Sequence, residues 1–164
     1  ISSGEAQIDH GKIREFKETL KYPLSYFDFE TLGTPVPLHD GLNPWGKFAF
    51  QYSIHVDDGK KLDHFEFLAD SNKDPQEDLV KQLVKDMPST GSIVTFNMGF
   101  EKGILRDLAK KFPKYEKELK SMIERIVDLQ VVFKKFHYYH ASQKGSASLK
   151  AVLPVFSEDR KSVV

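Results

Sequence analysis

The chain has 164 residues, of which 40% are hydrophobic and 12% aromatic, enough to bury one sizeable core and within the usual span of a single domain. Lys plus Arg and Asp plus Glu both total 24, so no net field steers the protein to a polyanion or a membrane surface, and any polyanion must be held by local patches. Cysteine is absent, which excludes disulfides, thiolate zinc sites and cysteine nucleophiles, and no apolar run approaches the roughly 20 residues of a membrane span. A soluble cytoplasmic protein without membrane contact is the expectation. The start at Ile1 and the charged stretch from Ser157 to Lys161 read as cuts, so one domain of a longer protein with other domains beside it is expected.

In chain order, Ile13, Phe16 and Leu20 recur at helical spacing and predict a short amphipathic helix leading into Tyr22-Pro23. Residues 24–31 read as a strand with Asp28 and Glu30 on one face and Phe27 and Phe29 on the other. A Gly- and Pro-rich loop follows over 33–46, in which Pro44 and Trp45 read as core or lid residues. Phe48, Phe50, Tyr52, Ile54 and Val56 then alternate as in a half-buried strand, Asp57-Asp58-Gly59 supplies a hairpin turn, and 62–68 gives the third strand of an antiparallel meander.

Asp74-Pro75-Gln76-Glu77 has the form of a helix start, with an acidic cap, proline at the first position and a glutamate able to return to the cap. Its buried stripe is Leu79, Val80, Leu83, Val84 and Met87, and Pro88 ends it. Residues 92–96 form a short apolar strand that leads into a helix with Ile104, Leu105, Leu108 and Phe112 inward. Further helices are predicted from Tyr115 to Ile126 and over 131–139, with 127–129 as a junction between them. Gly145-Ser146-Ala147-Ser148 is a loop and the cap of a last helix containing 149–153.

An Asp-x-Glu among aromatics is costly to bury unless a cation or hydrogen-bond donors offset the charge, although a wet polar strand face explains it equally well. Glu101 stands where a strand ends and a helix begins. It is either a third ligand or an acid favoured there by the helix dipole. Three carboxylates brought together would suit hard divalent cations and two-metal phosphodiester hydrolysis.

Asp28-Phe29-Glu30-Thr31 and Asn97-Met98-Gly99-Phe100-Glu101, in this order with a meander and a helix between them, resemble the motifs of the ribonuclease H-like superfamily, the proofreading and DnaQ-type 3′-5′ exonucleases. The segments Tyr26 to Thr31, Phe50 to His55 and Gly145 to Lys150 are similar to an uncharacterised bacterial domain family grouped with those exonucleases. The resemblance implies an α/β ribonuclease H-like fold: a mixed sheet, made of an antiparallel three-strand meander plus parallel strands, flanked by helices. It implies Mg²⁺ or Mn²⁺ held by Asp28, Glu30 and Glu101, with single-stranded DNA or RNA as partner and Thr31, Asn97 and Phe100 among its contacts. A catalytically inactive binding or regulatory module is the alternative.

Two departures stand out. Glu101 replaces the usual aspartate, lengthening the arm by one methylene, and the superfamily's last motif, a His or Tyr four residues before a final Asp, has no convincing match before Val164, where Asp159 is only a geometric stand-in. Asp128 sits at a junction where these exonucleases often carry a non-ligand aspartate, and it reads as a cap of the next helix. His137, Tyr138, Tyr139 and His140, followed by Lys144, Ser148 and Lys150, combine ring faces, cations and a loop with exposed N–H donors, as single-strand binders do, and His140 is a candidate general base.

Overall fold

The computed structural model describes residues 5–33, 35, 47–70 and 74–156. The chain falls into two compact units, Lys21–Val127 and a second one made of Ile1–Leu20 with Asp128–Val164.

The first unit is built on strands β2 (Leu24–Leu32), β3 (Phe48–Asp57), β4 (Leu62–Leu68) and β5 (Ser92–Thr95) and helices α2 (Gln76–Asp86), α3 (Met98–Lys111) and α4 (Glu116–Arg125). Together with β6 (Ile126–Asp128) the strands form a five-stranded sheet in the order β4-β3-β2-β5-β6. β2, β3 and β4 are the antiparallel meander, and β5 joins β2 in parallel, with Leu24 opposite Ser92 and Tyr26 opposite Val94. A mixed α/β domain with helices against a mixed sheet is therefore what the chain adopts.

Strand alternation sorts the sheet into two faces. Ser25, Phe27 and Phe29 of β2 lie in register with Val56, Ile54 and Tyr52 of β3 and are buried. Leu79, Val80 and Leu83 of α2, Ile104, Leu105 and Leu108 of α3, and Leu119 and Met122 of α4 close that core. Each apolar side chain taken fully from water contributes about 1.5–3 kcal/mol, so this face carries most of the unit's stability. Within it, burial pushes the Tyr52 phenol pKa far up, helped by the hydrogen bond that the hydroxyl donates to Asp86 Oδ2 at 2.7 Å.

The start of α2 differs in detail from the expected capping box. The helix begins at Gln76; Asp74 Oδ1 accepts from the Gln76 N–H at 3.0 Å, but Glu77 pairs with Lys114 instead of returning to the cap. Ahead of β5, Gly91 has φ +86°, and a Cβ there would lie 2.0 Å from the Pro23 carbonyl oxygen. Arg125 holds the same turn, donating to the carbonyls of Pro88, Thr90 and Gly91 at 2.9–3.0 Å.

The second unit holds β1 (Gln7–Ile8), α1 (His10–Glu18), α5 (Gln130–Lys134), β7 (Tyr138–Tyr139) and α6 (Leu149–Phe156). The expected helix over 131–139 stops early. Phe136 takes the left-handed conformation (φ +55°), and Tyr138 and Tyr139 pair antiparallel with Ile8 and Gln7. The expected junction at 127–129 likewise contains β6. Both short strands, Ile126-Val127-Asp128 and Tyr138-Tyr139, have pairing partners far off in the chain, so local periodicity does not reveal them. Phe133, Tyr138 and Phe156 pack edge-to-face or tilted at centroid distances of 4.8–6.1 Å. Among the described residues, no helix is long and apolar enough to cross a membrane.

Candidate functional site

The acidic pair comes from the central strand. Asp28 and Glu30 alternate away from Phe27 and Phe29 and are exposed on the uncored face, opposite Ser53 and Gln51 of β3. Loss of hydration pushes the Asp28 carboxyl above its ordinary range, against a smaller opposing effect of the Phe29 backbone N–H. A register shift between Glu30 and Thr31 follows the pair, so Thr31 is half-buried opposite Ala49. Such a bulge bends the strand and re-aims the side chains beside it.

Glu101 is held differently. Asn97, in the left-handed conformation at φ +78°, turns the chain from β5 into α3, and its carbonyl accepts from the Phe100 N–H at 3.1 Å. Helical phase then places Glu101 in the inward stripe with Ile104, Leu105 and Leu108, where it is 2% exposed. That stripe joins the core on the side of Phe27 and Phe29, whereas Asp28 and Glu30 alternate to the other side. Among the described residues, no group of three or more His, Asp or Glu side chains is gathered to hold a metal ion. The structure thus brings Asp28 and Glu30 together and does not add Glu101 to them as a ready three-ligand cluster. Phe100 is half-buried against the core, and the Lys47 ammonium lies 4.3 Å from its ring centroid, so a cation already covers one of its faces.

The residues expected to hold nucleic acid from the last third of the chain belong to the second unit. His140 Nδ1 accepts from the Ser142 N–H at 3.2 Å and lies 2.6 Å from Ser142 Oγ, closing a short 3₁₀ turn over Ala141–Gln143. The nitrogen lone pair that a general base needs is thereby engaged in a cap. Lys144, Ser148 and Lys150 are exposed, with Lys144 left-handed at φ +50°. Ser148 caps α6 through its carbonyl, which accepts from the Ala151 and Val152 N–H groups at 3.0 Å.

Two glutamines that sequence reasoning passed over fix this loop. Buried Gln143 accepts from the His140 N–H at 2.7 Å, and Gln130 donates to the Ala147 carbonyl at 3.0 Å. Asp128 was expected to cap α5; the N-cap is instead Leu129, and Asp128, one residue earlier, accepts at Oδ1 from the N–H of Gln130, the first helical residue, at 2.9 Å. Also unmarked in the sequence as a pair were His55 and His64, stacked across β3 and β4 on the same face as Asp28; alternation from Tyr52 and Ile54 was the available signal. Pro44, Trp45 and Asp159 lie outside the described residues.

By fold and site, then, this is a mixed α/β domain with two carboxylates displayed on the uncored face of its central strand. Residues 25–148 match the family described as "Domain of unknown function (DUF2779)", and the chain belongs to that family. It is 26% identical over 159 residues to "Uncharacterized protein MG366" of Mycoplasma genitalium, covering 88% of this chain and 24% of that protein. "Uncharacterized protein MG366 homolog" of Mycoplasma pneumoniae is likewise 26% identical over 159 residues, covering 90% and 24% respectively. The chain therefore spans about a quarter of the length of these curated relatives. No solved structure matches it. The expectation of a bacterial domain family of unsettled function holds at that level, and none of these matches links the chain to the ribonuclease H-like exonucleases.

Proposed function

We propose that this domain is a divalent-cation-dependent nuclease of ribonuclease H-like, DnaQ-type fold, acting as a 3′-5′ exonuclease on single-stranded DNA or RNA. The observation that carries the reading is the pair Asp28 and Glu30, two residues apart on one exposed face of the strand at the middle of the sheet. The antiparallel meander with a strand added parallel to its first member is also the arrangement that the motif resemblance implies.

The donor chemistry fits Mg²⁺ or Mn²⁺. Hard cations take oxygen ligands, and Mg²⁺ is commonly held by one or two carboxylates, with water and substrate phosphate completing its shell. Asp28 and Glu30 supply that many, and the Asp28 carboxylate, short of hydration, gains from a cation beside it. When bound, the cation would neutralise phosphate charge and lower the pKa of water. The chain's own contribution is to fix both carboxylates on a paired strand, so that they need no reordering when substrate arrives.

A second reading, a catalytically inactive nucleic-acid-binding or regulatory module, is favoured by one observation: Glu101 does not complete a three-ligand cluster with the pair. End-labelled single-stranded DNA and RNA incubated with Mn²⁺ separate the two. The nuclease reading expects progressive shortening from the 3′ end, reduced at least about 100-fold by Asp28→Asn. Intact substrates beside a working control nuclease, with strand binding retained, establish the module instead.

A further inference from the structure

We propose that His55 and His64 form a binding site for a borderline divalent cation of the Zn²⁺ class, separate from the oxygen-donor pair at Asp28 and Glu30. The two residues are direct cross-strand partners in the β3–β4 register, and alternation puts both on the face turned away from the core. Their rings are stacked, with centroids 4.2 Å apart and planes at 18°. Directly opposed Cβ atoms in an antiparallel pair stand about 4.5–5.5 Å apart, a separation from which two imidazoles can reach one ion at about 2.0–2.1 Å. The last torsion of histidine is soft, so either ring can turn to aim a nitrogen at a shared ion.

Both side chains are exposed, and the stack therefore adds little to the core. Its surroundings suit a cation. Ser53 Oγ lies 3.1 Å from His64 Nε2; with Nε2–H donating to that oxygen, Nδ1 keeps its lone pair outward, which is the role of a partner to a metal-ligating histidine. On the same face β2, β3 and β4 place Asp28, Glu30, Asp57 and Glu66, and among the described positions of that face there is no Lys or Arg. Glu66 is two residues from His64 and opposite Ser53. Imidazole nitrogens suit Zn²⁺, Cu²⁺ and Ni²⁺, whereas carboxylates suit Mg²⁺ and Mn²⁺, so the two sites sort ions by donor type. The protein supplies two ligands and water the others, since no third His, Asp or Glu is gathered with them among the described residues.

The test is calorimetric titration of the whole chain with ZnCl₂ in excess Mg²⁺, which keeps the carboxylate pair occupied. One equivalent of Zn²⁺ is expected to bind, with affinity falling at least about tenfold in His55→Ala and in His64→Ala. Because the exposed rings can be replaced without opening the core, circular dichroism should show both variants folded; His64→Gln serves as the conservative second substitution. Imidazole ¹H–¹⁵N signals of both residues should shift together on the same titration. Absence of Zn²⁺ binding, or binding that survives both histidine substitutions, overturns the proposal, and neither result bears on the nuclease reading, which rests on Asp28 and Glu30.

Discussion

The two faces of the meander share every backbone hydrogen bond yet differ in all else. Phe27, Phe29, Tyr52 and Ile54 look into a core closed by three helices; Asp28, Glu30, Ser53, His55, His64 and Glu66, each one residue out of phase, look the other way and are polar. Period-two alternation explains why a single strand can carry both sets. What it teaches is that stability and chemistry are segregated here by parity of residue number. Phe27, Phe29, Tyr52 and Ile54 can be altered only at the expense of the fold, whereas the exposed Asp28, Glu30, His55, His64 and Glu66 can be altered with the fold intact.

Substitutions that breach the core face should have the largest effect. Phe27→Ala removes a 4%-exposed ring that packs edge-on to Phe29 at 4.6 Å, and should cost about 3–5 kcal/mol in urea denaturation. A loss under 1 kcal/mol would mean the two faces are not divided as described. Next is Gly91→Ala, where the left-handed φ and the approach to Pro23 predict a loss of about 2–4 kcal/mol by the same measurement. Tyr52→Phe, which strands Asp86 with Gln82 as its remaining side-chain donor, should cost about 1.5–3 kcal/mol.

The smallest effect belongs to the uncored face. Asp28→Asn should change stability by no more than about 0.5 kcal/mol, and the change should be a gain at neutral pH. The sign follows from the carboxyl's raised pKa: the folded state holds that proton more firmly than the unfolded chain. The resulting stabilisation is complete below the ordinary carboxylate range and disappears as pH rises through the raised value. Thermal unfolding across that range should therefore show wild type and variant converging in acid and the variant ahead at neutral pH. The opposite order would show that donors favour the ionised carboxylate and that it is not short of hydration.

Much of this division was legible in advance. The strand over 24–31, its two faces, the meander and the helices through Ile104 and Leu119 follow from the periods of apolar residues, which the sheet and helices obey. The position of Glu101 was less accessible. Its helix was readable, but whether the first inward residue meets the pair depends on the phase set by the left-handed turn at Asn97, a tertiary property. The pairing of Tyr138 and Tyr139 with Gln7 and Ile8 was hidden for a related reason: two-residue strands leave no period to detect. His55 and His64 were visible as residues but not as neighbours, because the register that stacks them is fixed by the hairpin turn at Asp57 and Asp58.

The most direct test of the uncored face as the seat of chemistry is a Mn²⁺ titration followed by water-proton relaxation, comparing wild type with Asp28→Asn combined with Glu30→Gln. Binding in the wild type that weakens at least about tenfold in the double variant, with thermal stability preserved, is the predicted result. Equal Mn²⁺ affinity in the two proteins would contradict it and leave the carboxylates as an ordinary wet strand face.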